Sequence, residues 1–184
     1  MASQGWVNLL DPAHPAVGAV IGTFTTFRDV SPLPLPIVDP TMLHVGSVIY
    51  LEADGEFSTT GTPTLSMGFM WNAAAGGTTG TVLAQSAAIT TGTATAWPVH
   101  VTYRGKVVNI GATGSIVGQG HFDLGTSLTR YQTTGPEPIP STQALRTVTI
   151  DTTASRLLAV CAAYGTSNAL NTVKINNFVA LLLN

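Results

Sequence analysis

Four histidines, a run of alternating acids, one cysteine and one glycine cluster are the residues of this chain with types and spacing suited to chemistry. Glu52, Asp54 and Glu56 fall at every second position, so on a strand all three carboxylates leave from one face. Paired carboxylates run glycoside hydrolysis, but there they face each other from different strands across a groove. Three on one strand read instead as a solvated face, or as a calcium ligand cluster. His14, His44, His100 and His121 are scattered, without an H-x-H or H-x-x-x-H pair. If the strands carrying His100 and His121 are neighbours, both rings face the same way and a metal has room between them. With no carboxylate or cysteine beside them in the sequence to complete a ligand set, a solvent-facing or interface role is the preferred reading. The sequence thus implies no metal and no cofactor.

Cys161 is the single cysteine, which excludes a disulfide framework and a cysteine-based zinc site. It sits in the apolar run Leu157-Leu158-Ala159-Val160-Cys161-Ala162 and reads as a small buried hydrophobe, since a nucleophile would need a His or Asn that the neighbouring sequence lacks. Gly76-Gly77-Thr78-Thr79-Gly80 is glycine-rich like a phosphate loop, but neither a lysine nor a helix follows, so a hairpin turn is expected. Trp71, Trp97 and Tyr103 have the chemistry of a sugar-stacking platform. Trp71, however, has core parity in its strand, while Trp97, before Pro98, is expected to be partly exposed.

Between Phe57 and Tyr103 there is no Asp, Glu, Lys or Arg. A catalytic site built on converging strands has few acids and bases to draw on, so no catalytic residues are assigned and an enzyme is the least favoured class. Charged residues are 9 % of the chain, against roughly 25 % in an ordinary soluble domain. The formal charge of −2 offers no field for nucleic acid or an acidic membrane. Such a neutral surface suggests one covered by neighbouring subunits. No basic leader precedes Arg28, the first Lys or Arg, and the Ala16–Ile21 stretch is too short to span a bilayer. The expectation is synthesis in a cytoplasm, yet the Thr/Gly-rich, lysine-poor makeup resembles an extracellular structural protein. A virion component satisfies both.

The elements that must position these residues follow from hydrophobic period. From Leu43 onward it is two: Val45, Ser47, Ile49, Leu51, Ala53 and Phe57; Leu65, Met67, Phe69 and Trp71; Val99, Val101, Tyr103 and Val107, with His100, Thr102, Arg104 and Lys106 opposite. Ile116, Phe122 and Leu124 oppose Gln119, His121 and Asp123, and Val148 and Ile150, Leu158 to Tyr164, and Val173, Ile175, Val179 and Leu181 complete the inward set. Such alternation marks half-buried antiparallel strands. Gly/Thr/Pro turns separate them, as at Gly61-Thr62-Pro63 and Gly111-Ala112-Thr113-Gly114. The expected fold is an all-β, antiparallel two-sheet sandwich over residues 43–184, with a jelly roll the favoured version.

Residues 1–42 read as an extended, Pro-rich N-terminal arm. Of the eleven prolines, Pro12, Pro15, Pro32, Pro34, Pro36 and Pro40 fall here, and the 31–40 stretch cannot be helical. Trp6, Leu9, Leu10, Leu33, Leu35 and Ile37 are its apolar anchors. They either lie along the chain's own domain or grip a neighbour. In the second case, deleting 1–42 should leave a folded domain that no longer binds its partner.

Gly61-Thr62-Pro63-Thr64-Leu65, the Gly-Gly-Thr turn at Gly76, Gly80-Thr81-Val82-Leu83-Ala84, Trp97 opening a long strand, Gly114-Ser115-Ile116-Val117-Gly118-Gln119-Gly120-His121-Phe122 and Val148-Thr149-Ile150-Asp151-Thr152-Thr153 form a series of turn and strand signatures. With Gly165 and the Asn171-Thr172 pair they resemble jelly-roll structural proteins of tailed bacteriophages, over about residues 45–184. The resemblance implies a non-enzymatic module on the phage particle, commonly a homotrimer, decorating the capsid by binding the major capsid protein or placed in the tail. It brings no catalytic residues. The expectation is therefore a capsid decoration (cement) protein, located on the virion. A minor tail or baseplate protein, and a carbohydrate-binding module contacting the host with an exposed aromatic near Trp97, are the alternatives.

Overall fold

Alternation of apolar and polar residues with abundant Thr and Val gives strands a face to bury, and burying it takes a second layer. The computed structural model describes residues 7–10, 20–127, 130–131 and 136–184, so Trp6 and His14 lie outside the described residues. The strands are β1 (Val7–Leu9), β2 (Ile21–Gly22), β3 (Arg28–Asp29), β4 (Ile37–Val38), β5 (Val48–Thr59), β6 (Thr64–Trp71), β7 (Thr81–Gln85) and β8 (Ile89–Thr90). They continue with β9 (Ala94–Asn109), β10 (Gly114–Ser127), β11 (Arg130–Tyr131), β12 (Glu137–Ile139), β13 (Thr147–Ile150), β14 (Arg156–Tyr164) and β15 (Thr172–Leu183). Short 3₁₀ turns at Pro40–Met42 and Gln143–Arg146 are the helical elements described.

All described pairings are antiparallel and form two sheets. The larger runs β1-β15-β5-β9-β10-β11, with β12 and β13 also on β10 and β2 on β15; the smaller runs β3-β14-β6-β7, with β4 on β14 and β8 on β6. Their inner faces enclose one core in which Trp71, Tyr103, Tyr164, Phe57, Phe69 and Phe122 are fully buried. The two-sheet all-β sandwich expected from the sequence is the architecture observed. The Gly76–Gly80 turn joins β6 to its antiparallel partner β7, so it is a hairpin turn. Tyr103 explains a pair of glycines: Gly105 and Gly118 are cross-strand partners, and a Cβ on Gly105 would lie 2.7 Å from the Tyr103 hydroxyl.

Two inward assignments need correction: Val45, in the turn before β5, is 63 % exposed, and the end of β15 faces the other way. Val173 and Ile175 are buried as expected, but beyond them Phe178, Ala180 and Leu182 face the core, not Val179 and Leu181. The β15–β5 register slips between Ile175 and Asn177, and one extra residue reverses the facing of everything after it.

The described parts of the N-terminal segment lie along the chain's own sandwich. β1 and β2 pair along β15 of the larger sheet, and β3 and β4 along β14 of the smaller. They cover edge strands that would otherwise present unpaired N–H and C=O groups. The segment also covers the outer face of the smaller sheet. There Leu35 packs in a second apolar cluster with Met70, Ala73, Ala159 and Cys161, flanked by Phe27 and Leu157. This is why β6 and β14 are buried on both faces although their sequences alternate. Cys161 is a fully buried member of that cluster, and burial pushes its thiol pKa well up.

Candidate functional site

The outer face of the larger sheet carries the chemistry. Cross-strand register puts Asp54 of β5 opposite His100 of β9, and His100 opposite Asp123 of β10. One step along, Glu52, Thr102 and His121 form a second row across the same three strands. Six side chains separated by up to 71 positions in sequence therefore meet on one surface, because β5, β9 and β10 are neighbours and all six have outward parity. The β15 bulge, with Asn177 opposite Asp54, borders the cluster.

His100 sits at the centre. Its Nε2 lies 3.1 Å from Glu52 Oε1 and 3.9 Å from Asp54 Oδ1, while Nδ1 lies 3.3 Å from Asp123 Oδ2. His121 Nε2 lies 3.4 Å from that same Asp123 oxygen, and its Nδ1 is 3.0 Å from Thr102 Oγ1. The two rings are tilted, with centroids 5.7 Å apart. The Tyr50 hydroxyl donates to Glu52 Oε2 at 2.6 Å. That bond, together with His100, holds the Glu52 carboxyl below its usual pKa. The same bond, with burial and the nearby carboxylates, raises the Tyr50 phenol to about 12. For His100, burial acts to lower the pKa, but hydrogen bonds to Glu52 and Asp123 and the nearby negative charge outweigh it, and the net shift is upward.

The sequence-based reason for setting a metal aside was the lack of a carboxylate near His100 and His121. The structure corrects it: Asp123 stands between the two rings, with Glu52 and Asp54 beyond. Asp123, two residues after His121 and on the same face, was already legible as a carboxylate beside that histidine; the strand neighbourhood that adds His100, Glu52 and Asp54 was not. Glu56 departs from the cluster and pairs with Lys174 at 3.4 Å.

Beside the cluster, and sharing His121 with it, an open groove of about 830 Å³ is lined by Tyr50, Gln119 and Arg104 together with Lys106 and Arg146. Three of the chain's seven Lys and Arg residues thus border one depression, which favours an anionic group there. The sugar-stacking trio does not assemble. Trp71 and Tyr103 are buried in the core, and Trp97 is half-buried, packed edge-on against Phe57 with centroids 6.3 Å apart.

The proposed anchors divide. Leu10 and Leu35 are buried in the protein's own cores, whereas Leu9, Leu33 and Ile37 are 59 %, 59 % and 49 % exposed. No described helix is long and apolar enough to cross a membrane. Comparisons with protein-family models, curated proteins and solved structures return no match.

Proposed function

We propose that the chain is a non-enzymatic structural protein of a bacteriophage particle, most specifically a capsid decoration protein that binds the major capsid protein. The observation carrying this reading is the distribution of exposed apolar side chains. Seven of the eleven exposed large apolar side chains among the described residues, Val7, Leu9, Val20, Leu33, Ile37, Met42 and Val45, come from the N-terminal quarter of the chain, which is itself fastened to both sheets. Val82, Ile110, Val117 and Leu170 are scattered beyond it. A stiff, self-paired ridge with apolar studs is preorganised to dock and loses little conformational freedom on doing so. The neutral composition supports the same reading, because repeated weak contacts on a symmetric lattice gain strength through avidity.

A jelly-roll winding and the phage family likeness are part of this proposal. Pairing of β5 with β15 and of β6 with β14 is what a jelly roll makes between its outermost strands, while the β5–β9 pairing departs from it. A homotrimer is the expected assembly, and tail proteins are the alternative partners. Association with nucleic acid or membrane is not part of the proposal.

Cryo-electron microscopy of the particle tests it. Density for this chain in many symmetric copies on the shell is the expected result, with the ridge against capsid subunits. Density confined to the tail would move the role to the tail or baseplate. Absence from particles would overturn the virion reading and favour the host-glycan alternative.

A further inference from the structure

We propose that His100 Nδ1, His121 Nε2 and Asp123 Oδ2 form a three-ligand site for a divalent metal ion of the zinc class on the outer face of the larger sheet. The three ligand atoms lie within 4.8 Å of one another. The two nitrogens are 3.3 and 3.4 Å from the shared oxygen. Charge-assisted N–H···O bonds run at about 2.7–2.9 Å, so as direct contacts these are loose. Around a tetrahedral ion with bonds of about 2.1 Å, neighbouring ligand atoms are separated by roughly 3.4 Å. The spacing suits a shared ion better than a shared proton.

The ring nitrogens facing away from this point are both occupied. His100 Nε2 is 3.1 Å from Glu52 Oε1, whose other oxygen accepts from Tyr50, and His121 Nδ1 is 3.0 Å from Thr102 Oγ1. Protons placed on those outer nitrogens leave Nδ1 of His100 and Nε2 of His121 with free lone pairs, both directed to Asp123. A metal-bound histidine held by a carboxylate through its other nitrogen is the arrangement that fixes ring orientation and raises ligand basicity. Glu52 and Thr102 are thus positioning residues.

Charge points the same way. Three of the chain's nine acids and two of its four histidines converge here. Among the described residues Lys174 pairs with Glu56 and Arg156 with Asp151, while Arg104, Lys106 and Arg146 line the adjoining groove without an ion pair to these acids. The ion-pair contacts of Glu52, Asp54 and Asp123 among the described residues are with histidine. The ligand side chains are 20–44 % exposed, which gives an ion entry and leaves a fourth position for water or for a group lying in the adjoining groove.

Isothermal titration of the chelator-treated full-length protein with Zn²⁺ tests the site, with Co²⁺ as a spectroscopic substitute. The expected result is one equivalent bound per chain, and Co²⁺ ligand-field bands of a low-symmetry four-coordinate centre that Zn²⁺ bleaches. His121→Ala and Asp123→Ala should each weaken binding by more than the 10–100-fold typical of an outer-shell change, which Glu52→Ala should show. Circular dichroism checks that each variant is folded. No saturable binding by the wild type overturns the proposal. So does binding that survives in both His121→Ala and Asp123→Ala but is lost in Asp54→Asn, which would put the ion on the Glu52 side of His100.

Discussion

Trp71 and Asp151 are tied by a hydrogen bond from the indole Nε1 to the Asp151 main-chain carbonyl at 3.1 Å. The bond links the end of β6, deep in the sandwich, to the turn between β13 and β14. Trp71→Phe keeps an aromatic ring but removes the strongest donor to that carbonyl and leaves a gap in a core position that is 1 % exposed. The expected loss is about 1–3 kcal/mol in urea unfolding, and a variant as stable as wild type would show that Arg156 Nε, at 3.4 Å, satisfies the carbonyl alone.

The same turn gives a pH signature. Hydrogen bonds from the Thr153 hydroxyl and main-chain N–H hold the Asp151 carboxyl below its usual pKa of 3.8, with Arg156 adding to the shift. A depressed folded-state pKa contributes stability that is complete above the unfolded value and lost as pH falls through the folded one. The difference in melting temperature between wild type and Asp151→Ala should therefore be constant above about pH 5 and narrow below pH 4. A gap that widens toward acid would contradict the assignment.

Cys161 should be chemically silent in the folded protein. The thiol is buried under Leu35 and its neighbours, and its raised pKa keeps it protonated at pH 8. A disulfide-exchange reagent should label the chain only at the rate of unfolding, and fast stoichiometric labelling of the native protein would disprove the packing.

Two leucines two residues apart should behave oppositely. Leu35→Ala opens the second apolar cluster and is expected to cost about 2–4 kcal/mol, whereas Leu33→Ala, at an exposed position, should stay within roughly 0.5 kcal/mol. If the ridge docks as proposed, only Leu33→Ala will lower particle binding at unchanged stability. Removal of residues 1–42 is then a poor test of docking: it would also strip Leu10, Val30, Leu35 and Val38 from the cores and uncover β14 and β15. The truncated chain should be recovered aggregated or unfolded by light scattering and circular dichroism.

The strands were legible because a half-buried strand writes its facing into every second residue. Parity alone placed Val99, Val101 and Tyr103 inside and His100 and Thr102 on the other face. It failed after Ile175 because a bulge adds a residue without altering composition, so Val179 and Leu181 read inward when Phe178 and Ala180 are. Burial on both faces of β6 and β14 was hidden for a different reason: the cover is a proline-rich segment remote in sequence. The His/carboxylate cluster was half-readable. Each of its members carried the right facing, but the register joining Asp54 to His100 to Asp123 is a long-range pairing that no local pattern encodes.

Ser31 and Val160 exchange hydrogen bonds across 129 residues of chain, and β1 to β4 all rest on the two strands made last. On a ribosome adding about 5–20 residues per second, the first segment waits on the order of 10 s for its partners. During that interval Leu10, Phe24, Val30 and Leu35 are apolar residues of a nascent chain with nowhere to pack. Completion of both sheets therefore waits on the synthesis of β14 and β15, and until then those side chains lack the partners that bury them.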